Sequence, residues 1–233
     1  SIEAAREALN TALGTLGPND RFNVIAFDDD ATLLFPEAKL AAGSYLQDGW
    51  AFINNLEADN GTNMEPALRA ALEKQPSLSP GMLRQVVFIT DGAVLGEDKL
   101  FRLIKKQLGQ SRLFTVGIGS APNSHFMRKA AQFGRGSFTY IATPAEVDLA
   151  MSRLFEKIST PQLQDLQVLW PGSTESFPTR IPDLYAGEPL VITARIDGTH
   201  SPLLATMSDG IGQWQQQVRL SAVSSYPGIA TLW

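Results

Sequence analysis

The chain has 233 residues, of which 44% are hydrophobic and 18% charged, enough for one large packed domain or a medium one plus a small one, and too apolar for a disordered tail. Its net charge is −5 with no long basic run, which argues against nucleic acid or an anionic bilayer as the main partner. There is no cysteine, which leaves the redox compartment open, and no apolar stretch approaches the roughly 20 residues that span a bilayer. No signal peptide is read, because the first residues, Ser1 to Arg6, already have helical character.

Ile2, Ala5, Leu9, Ala12, Leu13 and Leu16 recur at helical spacing, and Gly17-Pro18 ends that helix. Residues 21–27 contain the run Val24-Ile25-Ala26-Phe27 of a buried strand. Asp28-Asp29-Asp30 then turns the chain into a second short strand, Ala31 to Phe35, as a hairpin. Leu40 to Leu56 reads as a helix weakened by Gly43 and Gly49. Met64, Ala67, Leu68, Ala71 and Leu72 give the next helix, with Pro66 tolerated in its first turn. Val86-Val87-Phe88-Ile89 is the strongest strand signal. After it come a helix on Leu100, Leu103, Ile104 and Leu108, and a strand from Leu113 to Ile118. A helix from His125 to Phe133, a short strand from Ser137 to Ile141 and a helix on Val147, Met151, Leu154, Phe155 and Ile158 complete the series. Strands alternating with helices predict an α/β, doubly wound, mostly parallel sheet covered on both faces. Val24–Phe27, Val86–Ile89 and Leu113–Ile118 are expected to be parallel and almost fully buried.

The pattern changes at Ser159-Thr160-Pro161. Short β-type runs (Leu166–Trp170, Leu190–Ile196, Leu203–Met207, Trp214–Leu220) are separated by Gly-containing turns, the spacing of a small antiparallel β unit. Two domains are therefore expected, 1–160 and 161–233. Trp170 and Trp214 are read as packing the β unit rather than binding sugar.

The chemistry points to Thr62 and Asp91. The strand ending at Thr90 delivers Asp91 into a turn with Gly92, and Thr62 follows Gly61 just before a helix. In an open parallel sheet both project at the carboxyl ends of the strands, where ligands bind. A hydroxyl and a carboxylate suit a hard cation such as Mg²⁺. The plainer readings are a simple Asp-Gly turn for Asp91 and a helix N-cap for Thr62. Asp28, Asp29 and Asp30 are read as a hairpin turn rather than a carboxylate cluster. His125 and His200 lack the spacing of a zinc site, and Gly117-Ile118-Gly119 lacks the ending of a phosphate loop. Lys105-Lys106 is read as a solvated helix face.

These motifs resemble the von Willebrand factor A domain. Asp20 to Phe27, the Gly61-Thr62-Asn63-Met64 turn, Phe88 to Gly92 and Phe114 to Gly119 follow that family's order. The likeness is to the inter-alpha-trypsin-inhibitor heavy-chain type, and within it to bacterial surface proteins of the proteobacterial sortase-target group. The resemblance implies a metal-ion-dependent adhesion site (MIDAS) holding Mg or Mn through Thr62 and Asp91. The family's third element, an Asp-x-Ser-x-Ser loop after the first strand, is absent here, so the site is expected to be incomplete and to bind little or no metal in these residues alone. By resemblance, the missing strand lies between those at Val24 and Val86. If these residues were the whole chain, that gap is expected to be filled by strand exchange with another chain, by a cleaved peptide or by part of the β-rich tail, the alternative being that the strands at Val24 and Val86 close up and pair directly. The sequence ends within what reads as a strand, and a fragment of a larger protein is expected.

The implied function is a non-enzymatic adhesion and protein-interaction module, extracytoplasmic at a cell surface or secreted, whose protein ligand offers a carboxylate. Neither nucleic-acid binding nor direct membrane insertion is expected. The alternatives are a Mg-dependent hydrolase using Asp91, against which no nucleophile–base pair is found, and a metal-free structural module of a surface protein.

Overall fold

A computed structural model describes residues 2–57, 61–73, 82–92, 96–119, 122–159, 161–170, 173–185, 189–196, 203–208 and 214–220. The chain divides into two units, Ser1–Ser159 and Thr160–Trp233. In the first, helix α1 (Ile2–Gly14) buries Ala4, Ala8, Ala12 and Leu13, a face turned from the predicted stripe, with Ala5 and Leu9 only half-buried. The small alanine row lets α1 lie close against helices that follow later in the chain, since interaxial distance is set by side chains at the contact.

The single strand expected over residues 21–27 is two, β1 (Arg21–Phe22) and β2 (Ile25–Phe27). Asn23 divides them. Its side-chain oxygen accepts from the Val24 and Phe35 amides at 2.9 and 3.0 Å, and its amide donates to the Phe35 carbonyl at 2.8 Å. Across from β2, β3 (Ala31–Leu33) forms the expected hairpin, Ile25 opposite Leu33, and β1 pairs with β4 (Lys39–Leu40). The expectation that Val24–Phe27 is parallel and almost fully buried is therefore corrected. Among the described residues the only ladder of β2 is antiparallel, to β3, and Ile25, Ala26 and Phe27 are half-buried. The helix expected from Leu40 starts later, as α2 (Ser44–Asn54), because Leu40 is still in β4 and Gly43 has φ of 57°.

Helix α3 (Met64–Glu73), strand β5 (Gln85–Thr90), helix α4 (Glu97–Gln107), strand β6 (Arg112–Ile118), helix α5 (Ser124–Phe133), strand β7 (Arg135–Ile141) and helix α6 (Val147–Ser159) follow in order. β5, β6 and β7 form a parallel sheet with β6 central, Val86 opposite Leu113 and Thr115 opposite Phe138. All seven residues of β6 are buried, as a strand covered on both faces requires. β5 is parallel as expected, but apart from Phe88 and Thr90 it is half-buried, a second correction. The reason lies at its other edge, where no described strand is hydrogen-bonded to it. Phe27 of β2 reaches across to stack on Phe88, with ring centroids 5.2 Å apart, yet β2 and β5 share no ladder. The strands at Val24 and Val86 thus do not close on each other.

The main core joins Met64, Leu68 and Leu72 of α3, Leu100, Leu103 and Ile104 of α4 and Phe126, Met127 and Ala130 of α5 over Phe88 and Leu113. Full burial of each large side chain contributes about 1.5–3 kcal/mol. α1 packs with α2 and α6, and Thr11 donates to the Asp148 carboxylate at 2.6 Å.

The second unit contains β8 (Pro161–Leu163), β9 (Gln167–Leu169), β10 (Thr174–Phe177), β11 (Leu184–Tyr185), β12 (Thr193–Ile196), β13 (Leu203–Ser208) and β14 (Gln215–Leu220). Every ladder among the described residues there is antiparallel, in three small sheets: β8 with β11, β10 with β12, and β13 between β9 and β14. Trp170 and Trp214 are half-buried, whereas Leu166, Tyr185 and Asp183 are buried. The Asp183 carboxylate accepts the Asp165 amide at 3.2 Å. His200 lies outside the described residues.

Candidate metal and ligand site at the carboxyl edge of the sheet

β5 ends in Thr90, which is buried, and its hydroxyl accepts the Gly92 amide at 3.2 Å. This local bond turns the chain and leaves Asp91 exposed at the edge. Thr62 meets that turn. A β-carbon placed on Gly92 would stand 3.0 Å from Thr62 Cγ2 and 3.2 Å from Thr62 Oγ1. The fold therefore sets Thr62 against Gly92, the residue that follows Asp91, and the lack of a side chain at Gly92 permits the approach.

The N-cap reading of Thr62 does not fit. Asn63 takes that position, its side-chain oxygen accepting the Glu65 amide at 3.4 Å, and Thr62 Oγ1 has no hydrogen-bond partner among the described residues. Asn63 also fastens the loop to the hairpin turn, its backbone amide donating to the Asp28 carbonyl at 2.6 Å and its side-chain amide to the Asp29 carbonyl at 3.2 Å. Gly61, at φ 78°, sits so close that an added β-carbon would lie 1.9 Å from Asp29 Oδ1. The acidic turn is a true hairpin turn, closed by Asp28 to Asp30 bonds, and it is also the wall behind Thr62. Asn63 was missed by sequence reasoning; an Asn immediately before an apolar helical stripe is the signal that marks it.

On the neighbouring strands, Gly119 follows β6 with φ of 85°, and Asn123 caps α5 by accepting the Phe126 amide at 3.0 Å. The Asn123 side chain donates to Glu97 Oε1 at 2.7 Å, tying the first turns of α4 and α5 together beside the edge. His125 is exposed on α5.

The donors fit a hard cation in kind: a carboxylate from Asp91 and a hydroxyl from Thr62, both oxygen and both exposed. They fall short in number. Among the described residues no group of three or more His, Cys, Asp or Glu side chains is placed to hold a metal. Thr62 and Asp91 can contribute to a coordination shell that needs further donors.

A parallel α/β sheet whose carboxyl edge carries a threonine loop against an aspartate turn belongs to the open-sheet class, in which ligands bind outside the carboxyl ends of the strands. The family model for the von Willebrand factor type A domain matches residues 1–140, and the chain belongs to that family. It is 24% identical over 205 residues to mouse inter-alpha-trypsin inhibitor heavy chain H2, covering 82% of this chain and 22% of that protein. Among solved structures it is similar to a von Willebrand factor type A protein from Catenulispora acidiphila, with TM-score 0.67 and 18% identity over 94% of this chain and 61% of that one. It is also similar to proximal thread matrix protein 1 of the mussel byssus, solved with a zinc-occupied MIDAS motif, with TM-score 0.51 and 14% identity over 72% of this chain and 44% of that one. The chain spans about a fifth of the length of the curated relatives it matches. No described helix is long and apolar enough to cross a membrane.

Proposed function

We propose that this chain is a non-enzymatic protein-interaction module that binds its ligand at the carboxyl edge of the β5–β6–β7 sheet. The single observation that carries the reading is the Thr62 hydroxyl, without a hydrogen-bond partner among the described residues, held against Gly92 of the Asp91-Gly92 turn. Thr62 and Asp91 would hold Mg²⁺ or Mn²⁺, together with oxygen donors from a loop outside these residues and a carboxylate from the protein ligand. When bound, the cation supplies positive charge that a ligand carboxylate completes. The side chains of this chain orient and present; none is assigned a bond to make or break. The zinc-occupied motif of the byssus protein supports placing a metal here, and membership of the family supports an extracytoplasmic setting, a bacterial surface being the instance we propose.

Calorimetry with Mg²⁺ and Mn²⁺ tests the assignment on two forms. Residues 1–233 alone are expected to bind little or no metal. A longer form carrying an Asp-x-Ser-x-Ser loop ahead of residue 1 is expected to bind it, with Asp91→Ala abolishing and Thr62→Ala weakening the signal. Tight binding by residues 1–233, or binding that survives Asp91→Ala, overturns the donor assignment. Absence of binding in every form leaves a metal-free structural module as the function.

A further inference from the structure

The outward face formed by α4 and α5 lies away from the edge site and has a charge unlike the rest of the chain. α4 buries Leu100, Leu103 and Ile104, and α5 buries Phe126, Met127, Ala130 and Ala131. The two helices meet through Phe101, whose ring lies 5.1 Å from Phe126 and 5.3 Å from Phe133. What they leave outside is basic: Arg102, Lys105 and Lys106 on α4, and Arg128 and Lys129 on α5, all exposed. The carboxylates of these helices, Glu97 and Asp98, are confined to the first turn of α4. Glu97 is engaged with Asn123.

These cations are positioned without being neutralised. Lys105 Nζ sits 4.3 Å from the centroid of the Phe133 ring, and the Arg128 guanidinium 5.8 Å from that of Phe138. A ring face attracts a cation and restrains it while leaving its full charge in place. Among the described residues no carboxylate lies within ion-pair distance of Arg102, Lys105, Lys106, Arg128 or Lys129; the Lys99–Glu65 pair, on the α3 side, is the neighbouring exception. The chain as a whole carries −5, so positive charge is gathered on this face while the remainder is more acidic.

We propose that the α4–α5 face is a docking surface for an acidic segment of a partner protein. Charge complementarity selects an anion, and the net charge selects its size. A long polyanion or an anionic bilayer extends past the patch and meets the repulsion of an acidic protein. A short acidic segment is felt within a Debye length of about 8–10 Å, where only the patch acts. The patch is distinct from the metal edge. α4 returns from the carboxyl end of β5 toward the amino end of β6, so Lys105 and Lys106 lie roughly 12 Å along the helix from Glu97, at about 1.5 Å per residue.

Fluorescence anisotropy with a labelled decaglutamate peptide tests this on the full chain at about 50 mM and about 150 mM salt. Binding is expected that weakens with salt and is unchanged by EDTA, which separates it from a carboxylate captured by a cation at Asp91. The triple variant Arg102→Glu, Lys106→Glu, Lys129→Glu, all solvent-facing positions, is expected to lose about tenfold or more in affinity with an unaltered circular dichroism spectrum. Lack of binding at the lower salt, equal binding by the variant, or binding abolished by EDTA overturns the proposal. So does preference for a sulfated polysaccharide or anionic vesicles over the peptide, run as parallel arms.

Discussion

A methyl group on Gly61 would collide with the Asp29 carboxylate and force a side chain into φ of 78°, a region that costs a non-glycine residue about 1–3 kcal/mol. Gly61→Ala is therefore expected to destabilise the first unit by about that amount or more, visible as a lower midpoint in urea unfolding, and to displace Thr62. A variant as stable as the parent would show that the loop relaxes freely. At this scale the site was half legible. Thr62 and Asp91 could be read because each sits where a Gly turn meets a strand or helix end. Asn63 was passed over for Thr62 because both side chains accept at an N-cap, although Asn63 is the one immediately before the helical stripe. The choice is made by the Asp28 and Asp29 carbonyls, far away in sequence.

Between elements, α3 and α4 are clipped by Glu65, whose carboxylate lies 2.6 Å from Lys99 Nζ and 2.9 Å from Arg69. Hydrogen bonding from Lys99 first, and from Arg69 second, lowers its pKa below the ordinary 4.5. A depressed carboxylate adds stability that is present above its unfolded pKa and lost as pH falls through the folded one. The clip lies at the surface, with the Arg69 and Lys99 side chains exposed, so the contribution is small and screened by salt. Glu65→Gln, which cannot ionise, is expected to be less stable at neutral pH and to converge with the parent on acidification below about pH 4.5. Denaturant melts across that range at low salt check it; parallel curves would remove the clip from the account. The elements themselves were legible wherever a long apolar period ran uninterrupted, as in α3, α4 and β6. The strand over residues 21–27 was misread as one because Asn23 interrupts it through bonds to Phe35, a partner that periodicity does not reveal. β8, β10 and β11 are two to four residues long and too short to carry a pattern.

For the whole molecule, the edge of β5 that pairs with no described strand sets the sharpest expectation. Unpaired strand edges recruit strands, and exchange between identical chains satisfies them at little cost. Residues 1–233 produced alone are expected to self-associate in a concentration-dependent way by light scattering, with β5 amides protected from hydrogen exchange in the associated form. A stable monomer with rapidly exchanging β5 amides would defeat strand exchange. The alternation of helices and strands was enough to foresee the parallel sheet, but not the half-buried state of β5, since burial depends on what lies beside a strand as well as on its own residues. The hairpin has one more consequence. Its Asp28–Asp30 tip is latched to the Thr62 loop by three contacts, two from Asn63 and the close seat of Gly61. Among the described residues β2 and β3 pair only with each other, while Phe27 stacks on Phe88 of the sheet and both strands pack against α3. A displacement of the Asp28–Asp30 tip is therefore expected to shift the Thr62 loop with it, which ties the position of the proposed ligand edge to that of the hairpin.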